Sequence, residues 1–154
     1  MAKVLVVYES KYGNTKLVAE TIIEGMKEVE GIEPILSELG EVNLNKIPDY
    51  DAILIGSPNH FGGPTKSINK FIDELGKLAL KGKSFAVFDT YLRRGFFEKA
   101  VRKMEERLSE KAPEMKQMAP GLSVQVLGLK GPISEGKLPK CREFGNKIAT
   151  QIRK

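Results

Sequence analysis

The stretch YESKYGNTKLVAE (Tyr8–Glu20) joins two different apolar patterns through a polar run of six residues, Ser10–Thr15. The preceding segment, Val4–Val7, is entirely apolar, as in a strand that is buried on both faces. After the polar run, apolar residues recur at helical spacing, at Val18, Ile22 and Met26. The stretch therefore predicts a strand, a polar loop and a helix, which together begin a βαβ unit.

The same alternation continues along the chain. Short apolar segments predict five strands: Lys3–Tyr8, Glu33–Glu38, Asp51–Gly56, Ser84–Asp89 and Ser123–Gly128. Helical stripes follow at Val18–Val29, Ile68–Leu75, Phe97–Leu108 and Cys141–Ile152, with Pro64 expected at the first turn of the second helix. Residues 40–49 are too polar for a helix, and residues 111–121 suggest an irregular connection. The pattern predicts one α/β domain, residues 1–154, built as a three-layer doubly wound sandwich.

Composition places the chain among globular proteins. Apolar residues make up 41% of the 154 residues, and the apolar runs are far shorter than a membrane span requires. The N-terminus shows no signal-peptide cleavage pattern, and the single cysteine, Cys141, has no internal disulfide partner. We therefore expect a cytoplasmic protein without a membrane segment.

Charge is unevenly distributed along the sequence. Residues 1–90 carry 10 Lys/Arg and 13 Asp/Glu, whereas residues 91–154 carry 15 and 7. The basic second part either is an ordinary solvated surface or faces an acidic partner or a phosphate-bearing ligand. It contains no aromatic-interleaved basic strand or recognition motif, so we expect no nucleic-acid binding.

The polar loop after the first strand is suited to an anion. In an open parallel sheet, ligands bind beyond the carboxyl ends of the strands, where helix N-termini offer free N–H groups. The loop has one glycine, Gly13, and no Gly-Lys-Ser/Thr sequence, so it matches neither the dinucleotide fingerprint nor the P-loop. It favours a monophosphate that is held by hydroxyl groups; the alternative is a capped helix without a ligand.

The loop after the third predicted strand, Gly56–Pro64, combines glycines with aromatic residues. This composition suggests close backbone approach to a flat ligand that stacks on Phe61 or His60. His60 is the only histidine; it could act as a general acid, a metal ligand or a stacking partner, or have no role. No Cys, Asp or Glu neighbours it at metal-ligand spacing, which disfavours a metal site.

Taken together, these loops resemble those of the flavodoxin-like family. The sequence Ser10-x-Tyr12-Gly13-Asn14-Thr15 is similar to its phosphate loop, and Gly56–Gly63 is similar to its flavin-contacting loop. Gly131-Pro132 and Cys141–Gly145 are similar to the end of the flavodoxin domain in archaeal and bacterial A-type flavoproteins. The resemblance covers the whole chain and implies a five-stranded parallel sheet in the order 2-1-3-4-5 with one non-covalently bound FMN.

Carried over by position, the resemblance implies a set of cofactor-binding residues and no catalytic residue. The phosphate would be held by Ser10, Tyr12, Asn14 and Thr15, with backbone help at Lys11 and Gly13. One face and edge of the isoalloxazine ring would contact Pro58, Asn59, His60, Phe61, Gly62 and Gly63. The loop after the fourth strand would cover the other side with Asp89, Thr90, Tyr91 and Gly95. Tyr91 is the expected second stacking ring, and ordinary packing beside the next helix is the alternative.

Two features depart from the family pattern. Many flavodoxins are acidic, whereas this chain has a net charge of +5. Arg93 and Arg94 also lie in the third loop, where the family often has acidic or small residues. These arginines could stabilise an anionic reduced flavin, bind a phosphorylated pyridine nucleotide, or simply be solvated.

Three functions follow from this pattern. The leading hypothesis is an FMN-binding electron carrier with a soluble redox partner, for which an acidic protein is one option. The second is an NAD(P)H-dependent quinone or small-molecule reductase of the same fold, although the insertion common in such relatives is absent. The third is a flavin-free interaction or regulatory domain. A homo-oligomer is compatible with each of them.

Overall fold

The computed structural model describes residues 1–92, 95 and 97–153. In this part of the chain the strands are β1 (Ala2–Tyr8), β2 (Ile32–Glu38), β3 (Ala52–Pro58), β4 (Ser84–Tyr91), β5 (Lys116–Gln117) and β6 (Leu122–Gln125). The first four confirm the predicted strands to within one or two residues. The fifth predicted strand, Ser123–Gly128, is shifted and shortened, because pairing with β4 ends at Gln125.

All of these strands are parallel neighbours in one sheet of order β2-β1-β3-β4, with β5 and β6 both beside β4. β5 pairs with the start of β4, at Ser84 and Phe85, and β6 pairs with its end, from Phe88 to Tyr91. The predicted order 2-1-3-4-5 is therefore confirmed, with the fifth position divided between two strands. The interruption contains Pro120, which has no N–H to donate to a strand partner. The prediction of an irregular connection over residues 111–121 missed β5.

The helices among the described residues are α1 (Asn14–Met26), α2 (Lys66–Leu75), α3 (Lys99–Lys111) and α4 (Lys137–Arg153). Two short 3-10 helices, Leu39–Glu41 and Leu44–Asp49, occupy the polar segment between β2 and β3. Pro64 lies outside α2, because the Thr65 side chain caps that helix by accepting from the Ile68 N–H. Phe97 likewise lies before α3 and is half exposed.

The sheet is buried on both faces, as its apolar strands predicted. Val4 and Val6 of β1 pack in the layer that contains α1 and α4. Leu5 and Val7 pack in the opposite layer, which contains α2 and α3. These two layers complete the three-layer α/β sandwich. No helix in the described ranges has both the length and the apolar character needed to cross a bilayer.

Helices α1 and α4 approach each other closely through two glycines. A Cβ on Gly145 would lie 1.9 Å from the backbone oxygen of Ile22, and one on Gly25 would lie 1.9 Å from that of Arg142. An exposed ion pair, Arg142–Glu24 at 2.9 Å, flanks this crossing. Cys141 is fully buried in the same layer, and burial raises the pKa of its thiol to about 11. The thiol is therefore neutral at physiological pH and serves as a packing group.

Candidate functional site

Three loops meet at the carboxyl edge of the sheet. The first loop follows β1 (residues 9–13), the second follows β3 (residues 59–65), and the third follows β4 and is described at residues 92, 95, 97 and 98. The Glu9 N–H donates to the Gly56 carbonyl at 3.2 Å, and the Asn59 N–H donates to the Thr90 carbonyl at 2.8 Å. The Thr15 and Thr90 hydroxyls are hydrogen-bonded at 2.9 Å. The structure thus brings together the three segments that the sequence singled out.

The first loop delivers an uncapped helix start. Gly13 adopts a left-handed conformation with φ of 93° at the N-cap of α1, and no side chain in the described part of the protein caps this helix. The Gly13 N–H instead donates to Ser10 Oγ at 2.9 Å, which folds the loop back on itself. The first N–H groups of α1 therefore have no intrahelical acceptor and point out of the helix end. Such a helix start attracts an anion.

The second loop ends in a tight turn at His60–Gly63. The His60 N–H donates to the Gly63 carbonyl at 2.6 Å, and the Gly63 N–H donates back at 3.3 Å. The two central residues, Phe61 and Gly62, have φ values of 54° and 80°. Positive φ suits glycine but is strained for phenylalanine, by about 1–2 kcal/mol. The turn nevertheless holds the Phe61 side chain 90% exposed, with the His60 ring 4.8 Å away.

The Phe61 ring is exposed and its backbone is strained, so this residue does not serve to pack the core. Strained, exposed groups of this kind occur at binding sites, where a ligand compensates for them. Phe61 therefore exposes an apolar ring at the carboxyl edge of the sheet.

The third loop is partly described. Tyr91, the last residue of β4, is only 9% exposed and packs edge-to-face against Phe97, with ring centroids 5.2 Å apart. Phe97 is half exposed, so it is the more accessible ring of this pair. Gly95 is exposed. Arg93 and Arg94, for which the sequence left three roles open, lie outside the described residues.

Asn59 and Asp89 direct their side chains into the protein. The Ala100 N–H donates to Asn59 Oδ1 at 3.0 Å, and the Val101 N–H donates to Asp89 Oδ2 at 3.1 Å. Both N–H groups belong to the first turn of α3, whose N-cap residue, Glu98, makes no capping hydrogen bond with its side chain. These side chains thus cap α3 from the second loop and from β4, and they fix where the third loop ends.

Asp89 is fully buried, which raises the pKa of its carboxyl group to about 6. Its other carboxylate oxygen accepts a short hydrogen bond from the Ser123 hydroxyl, and Ser123 Oγ accepts from the Glu98 N–H at 3.1 Å. The hydrogen bonds that Asp89 accepts from Ser123 and from the Val101 N–H partly oppose the effect of burial on the pKa.

Sequence reasoning assigned no contact to the loop that follows β6, yet it borders the site. Asn14 Nδ2 donates to the Leu129 carbonyl at 3.0 Å, so this loop braces the start of α1. Leu127 and Leu129 are each more than 60% exposed beside it. The Gly131-Pro132 motif was a partial signal, since a Cβ on Gly131 would lie 2.8 Å from Asn14 Oδ1.

Lys103 of α3 was also missed. A Cβ built on Gly63 would lie 3.3 Å from its Cδ and 3.5 Å from its Nζ, so this lysine extends along the second loop. It brings a positive charge to the carboxyl edge. A contact between residues so far apart along the chain has no local sequence signal.

The fold is that of a doubly wound α/β protein, a class in which ligands bind beyond the carboxyl ends of the strands. A model of the flavodoxin domain matches residues 5–151, so this chain belongs to the flavodoxin domain family.

Solved structures of flavodoxins have a similar fold. A flavodoxin from the domain Archaea is 28% identical over 99% of each chain, with a TM-score of 0.84. Flavodoxin 2 from Bacillus cereus is 29% identical over 97% of this chain and 99% of that chain, with a TM-score of 0.82. Oxidised Flavodoxin 1 from the same organism is similar in fold at 24% identity, over 97% of this chain and 98% of that chain, with a TM-score of 0.80.

Proposed function

We propose that this protein binds FMN in the three-loop site and carries electrons between soluble partners in the cytoplasm. The observation that carries the proposal is that the carboxyl edge of the sheet holds both the uncapped start of α1 and the exposed ring of Phe61, whose backbone is strained. One feature suits a phosphate and the other suits a flat ring. FMN contains both a phosphate and a flat ring, and membership of the flavodoxin domain family supports this choice of ligand.

The first loop fits a phosphate group. Ser10 Oγ already accepts from the Gly13 N–H, so its own proton is available to an anion. Thr15 lies in the first turn of α1 and adds a second hydroxyl. The Asn14 side chain donates to the Leu129 carbonyl, so we assign this side chain the role of bracing the start of α1. Only the backbone N–H of Asn14 would then face the ligand. Tyr12 is 43% exposed and lies where it could flank the phosphate.

The second and third loops fit the ring. Phe61 would stack on one face, with His60 and the Gly62–Gly63 backbone along the edge, and the Tyr91–Phe97 pair would cover the other side. FMN supplies the redox chemistry when bound, while the protein binds it, orients it and limits its contact with water. Lys103 adds a positive charge that favours additional negative charge on the ligand.

The same edge suits an acidic redox partner. Lys11 of the first loop and Lys130 of the Asn14-bracing loop are exposed, and no ion pair involves either among the described residues. Next to them stand the exposed leucines Leu127 and Leu129. An apolar patch with a basic border is complementary to an apolar patch with an acidic border.

The phosphate assignment predicts selectivity for FMN over riboflavin. Riboflavin lacks the phosphate, so we expect it to bind at least about tenfold more weakly, since even one charge-assisted hydrogen bond contributes about 1.5–3 kcal/mol. Thr15→Val should weaken FMN by about 1.5–3 kcal/mol and leave riboflavin almost unchanged. Quenching of flavin fluorescence during titration of the apoprotein measures both affinities. Equal affinity for the two flavins would remove the first loop from the site, and uptake of neither would favour the flavin-free hypothesis.

Phe61 predicts a trade between stability and binding. Phe61→Gly removes the positive-φ strain, so the free energy of unfolding of the apoprotein should rise by about 1 kcal/mol. The same change removes the stacking surface, so FMN should bind about tenfold more weakly. Urea unfolding and fluorescence titration measure the two effects separately. A variant that is less stable than the parent, or that binds FMN equally well, would contradict this role for Phe61.

The carrier role predicts a preference among reductants. FMN-loaded protein should be reduced quickly by a reduced acidic ferredoxin and only slowly by NADPH, and the ferredoxin rate should fall as ionic strength rises. Lys130→Glu should slow association with ferredoxin about threefold, whereas Lys81→Glu, at the opposite end of the sheet, should have little effect. Stopped-flow absorbance gives these rates. Fast reduction by NADPH alone would instead support the reductase hypothesis.

A further inference from the structure

Two buried hydroxyl groups connect the first loop to β4. Thr15 is 1% exposed and Thr90 is 4% exposed, and their Oγ1 atoms lie 2.9 Å apart although the residues are 75 positions apart in sequence. Thr15 belongs to the first turn of α1, and Thr90 is the last but one residue of β4. The bond therefore joins the proposed phosphate site to the carboxyl end of β4.

Which hydroxyl donates in this hydrogen bond depends on whether the other hydroxyl can reach a further acceptor. Each hydroxyl has one proton, and a pair needs only one proton between its two oxygens. Among the described residues, neither hydroxyl has a second hydrogen-bond partner. If Thr15 donated, the Thr90 proton would be left in the interior without an acceptor. If Thr90 donates, the Thr15 proton is free for an acceptor placed at the start of α1.

A negatively charged acceptor at the start of α1 favours the second arrangement. The bonds then run in one direction, from the Thr90 hydroxyl to the Thr15 oxygen and from the Thr15 hydroxyl to the anion. Hydrogen bonds in such a chain polarise and strengthen one another, most of all in a buried setting.

Thr90 is held firmly enough to impose this direction. Its carbonyl accepts from the Asn59 N–H at 2.8 Å and from Asn59 Nδ2 at 3.2 Å. On the sheet it lies between Pro58 of β3 and Val124 of β6. The hydroxyl is therefore presented by the interior of the protein and not by a movable loop.

We propose that Thr90 is a phosphate-positioning residue that acts through Thr15 and thereby adds to the preference for a phosphorylated flavin. This inference rests on the proposed FMN function and changes the expected role of Thr90, which the family resemblance placed at the ring. Here Thr90 contacts no ligand atom; it orients the hydroxyl that does.

The test compares FMN and riboflavin in matched variants of the full chain. Thr90→Val keeps the branched shape and removes the hydroxyl, and it should weaken FMN about threefold to tenfold, the effect of one hydrogen bond. Riboflavin affinity should change less than twofold. Thr90→Ser restores a hydroxyl and should recover most of the FMN affinity. Thr21→Val is the control, because Thr21 is a buried threonine of α1 whose hydroxyl bonds only to the Leu17 carbonyl among the described residues. It should leave the ratio of the two affinities unchanged.

A double variant separates a relay from a general loss of stability. If Thr90 acts only through Thr15, Thr90→Val should have no further effect on FMN in a Thr15→Val background. Additive losses, or equal losses of FMN and riboflavin affinity in Thr90→Val, would overturn the inference and leave the proposed function standing. A parent protein that binds neither flavin would overturn both. Loss of FMN affinity that serine fails to restore would also count against the relay.

Discussion

Replacing Gly145 with alanine should destabilise the folded protein by about 3 kcal/mol, since overpacking a tight contact typically costs about 1–3 kcal/mol and occasionally more. The added Cβ would meet the Ile22 backbone oxygen at 1.9 Å, far inside contact distance. Backbone cannot rotate away as a side-chain end can, so the α1–α4 crossing has to widen. The higher helix propensity of alanine offsets only about 1 kcal/mol of this loss.

Urea unfolding of the apoprotein measures the effect, with Gly40→Ala as the control. No described residue has an atom within 4 Å of a Cβ added to Gly40, so its substitution should change the free energy of unfolding very little. Gly25→Ala should behave like Gly145→Ala, because its Cβ would meet the Arg142 backbone. Equal stability of Gly145→Ala and Gly40→Ala would show that the two helices are not in close backbone contact.

We expect the ionisation of Asp89 to have an equally large effect on the free energy of unfolding, and this effect depends on pH. Its pKa rises from an ordinary value of 3.8 to about 6 in the folded protein. The folded state therefore binds this proton more tightly than the unfolded state, and the buried carboxylate lowers stability above about pH 6. This difference in pKa corresponds to about 3 kcal/mol, which is recovered as the pH falls from about 6 to about 4.

Asp89→Asn removes the titration while it keeps an acceptor for the Val101 N–H. The free energy of unfolding of the variant minus that of the parent should be about 3 kcal/mol larger at pH 7 than at pH 4. Comparison at each pH cancels the other titrating groups. Ser123→Ala removes a hydrogen bond to the carboxylate and should move the midpoint of the pH dependence upward. A stability difference between parent and Asp89→Asn that is independent of pH would mean that Asp89 does not titrate in this range.

Local patterns were enough to predict most of the architecture. The apolar run Val4–Val7 and the helical spacing after Thr15 specify β1 and α1 without knowledge of distant residues. The strands at the fifth sheet position were harder to predict from the sequence, because β5 consists of only two exposed polar residues, Lys116 and Gln117. They are strand residues only because they lie beside Ser84 and Phe85, and pairing of that kind leaves no local signal.

The same limit applies to the candidate site. Loop position along the chain predicted which segments meet, since the carboxyl ends of parallel strands share one edge. It did not predict the direction of individual side chains. Asn59 and Asp89 turn inward because α3 begins without its own cap, and only the folded structure shows where α3 begins. The roles of the remaining predicted residues stay predictions until a flavin complex is examined.

The divided fifth position also affects how copies of this protein can associate. At that edge of the sheet, two residues of β5 and four of β6 flank a gap that contains Pro120, so the residues described there form no long row of outward-facing donors and acceptors. At the opposite edge, Pro34 removes one donor from β2. Interrupted edges of this kind disfavour strand-to-strand joining and aggregation between copies. A homo-oligomer of this protein would therefore form through its helical faces or through the loops at the carboxyl edge.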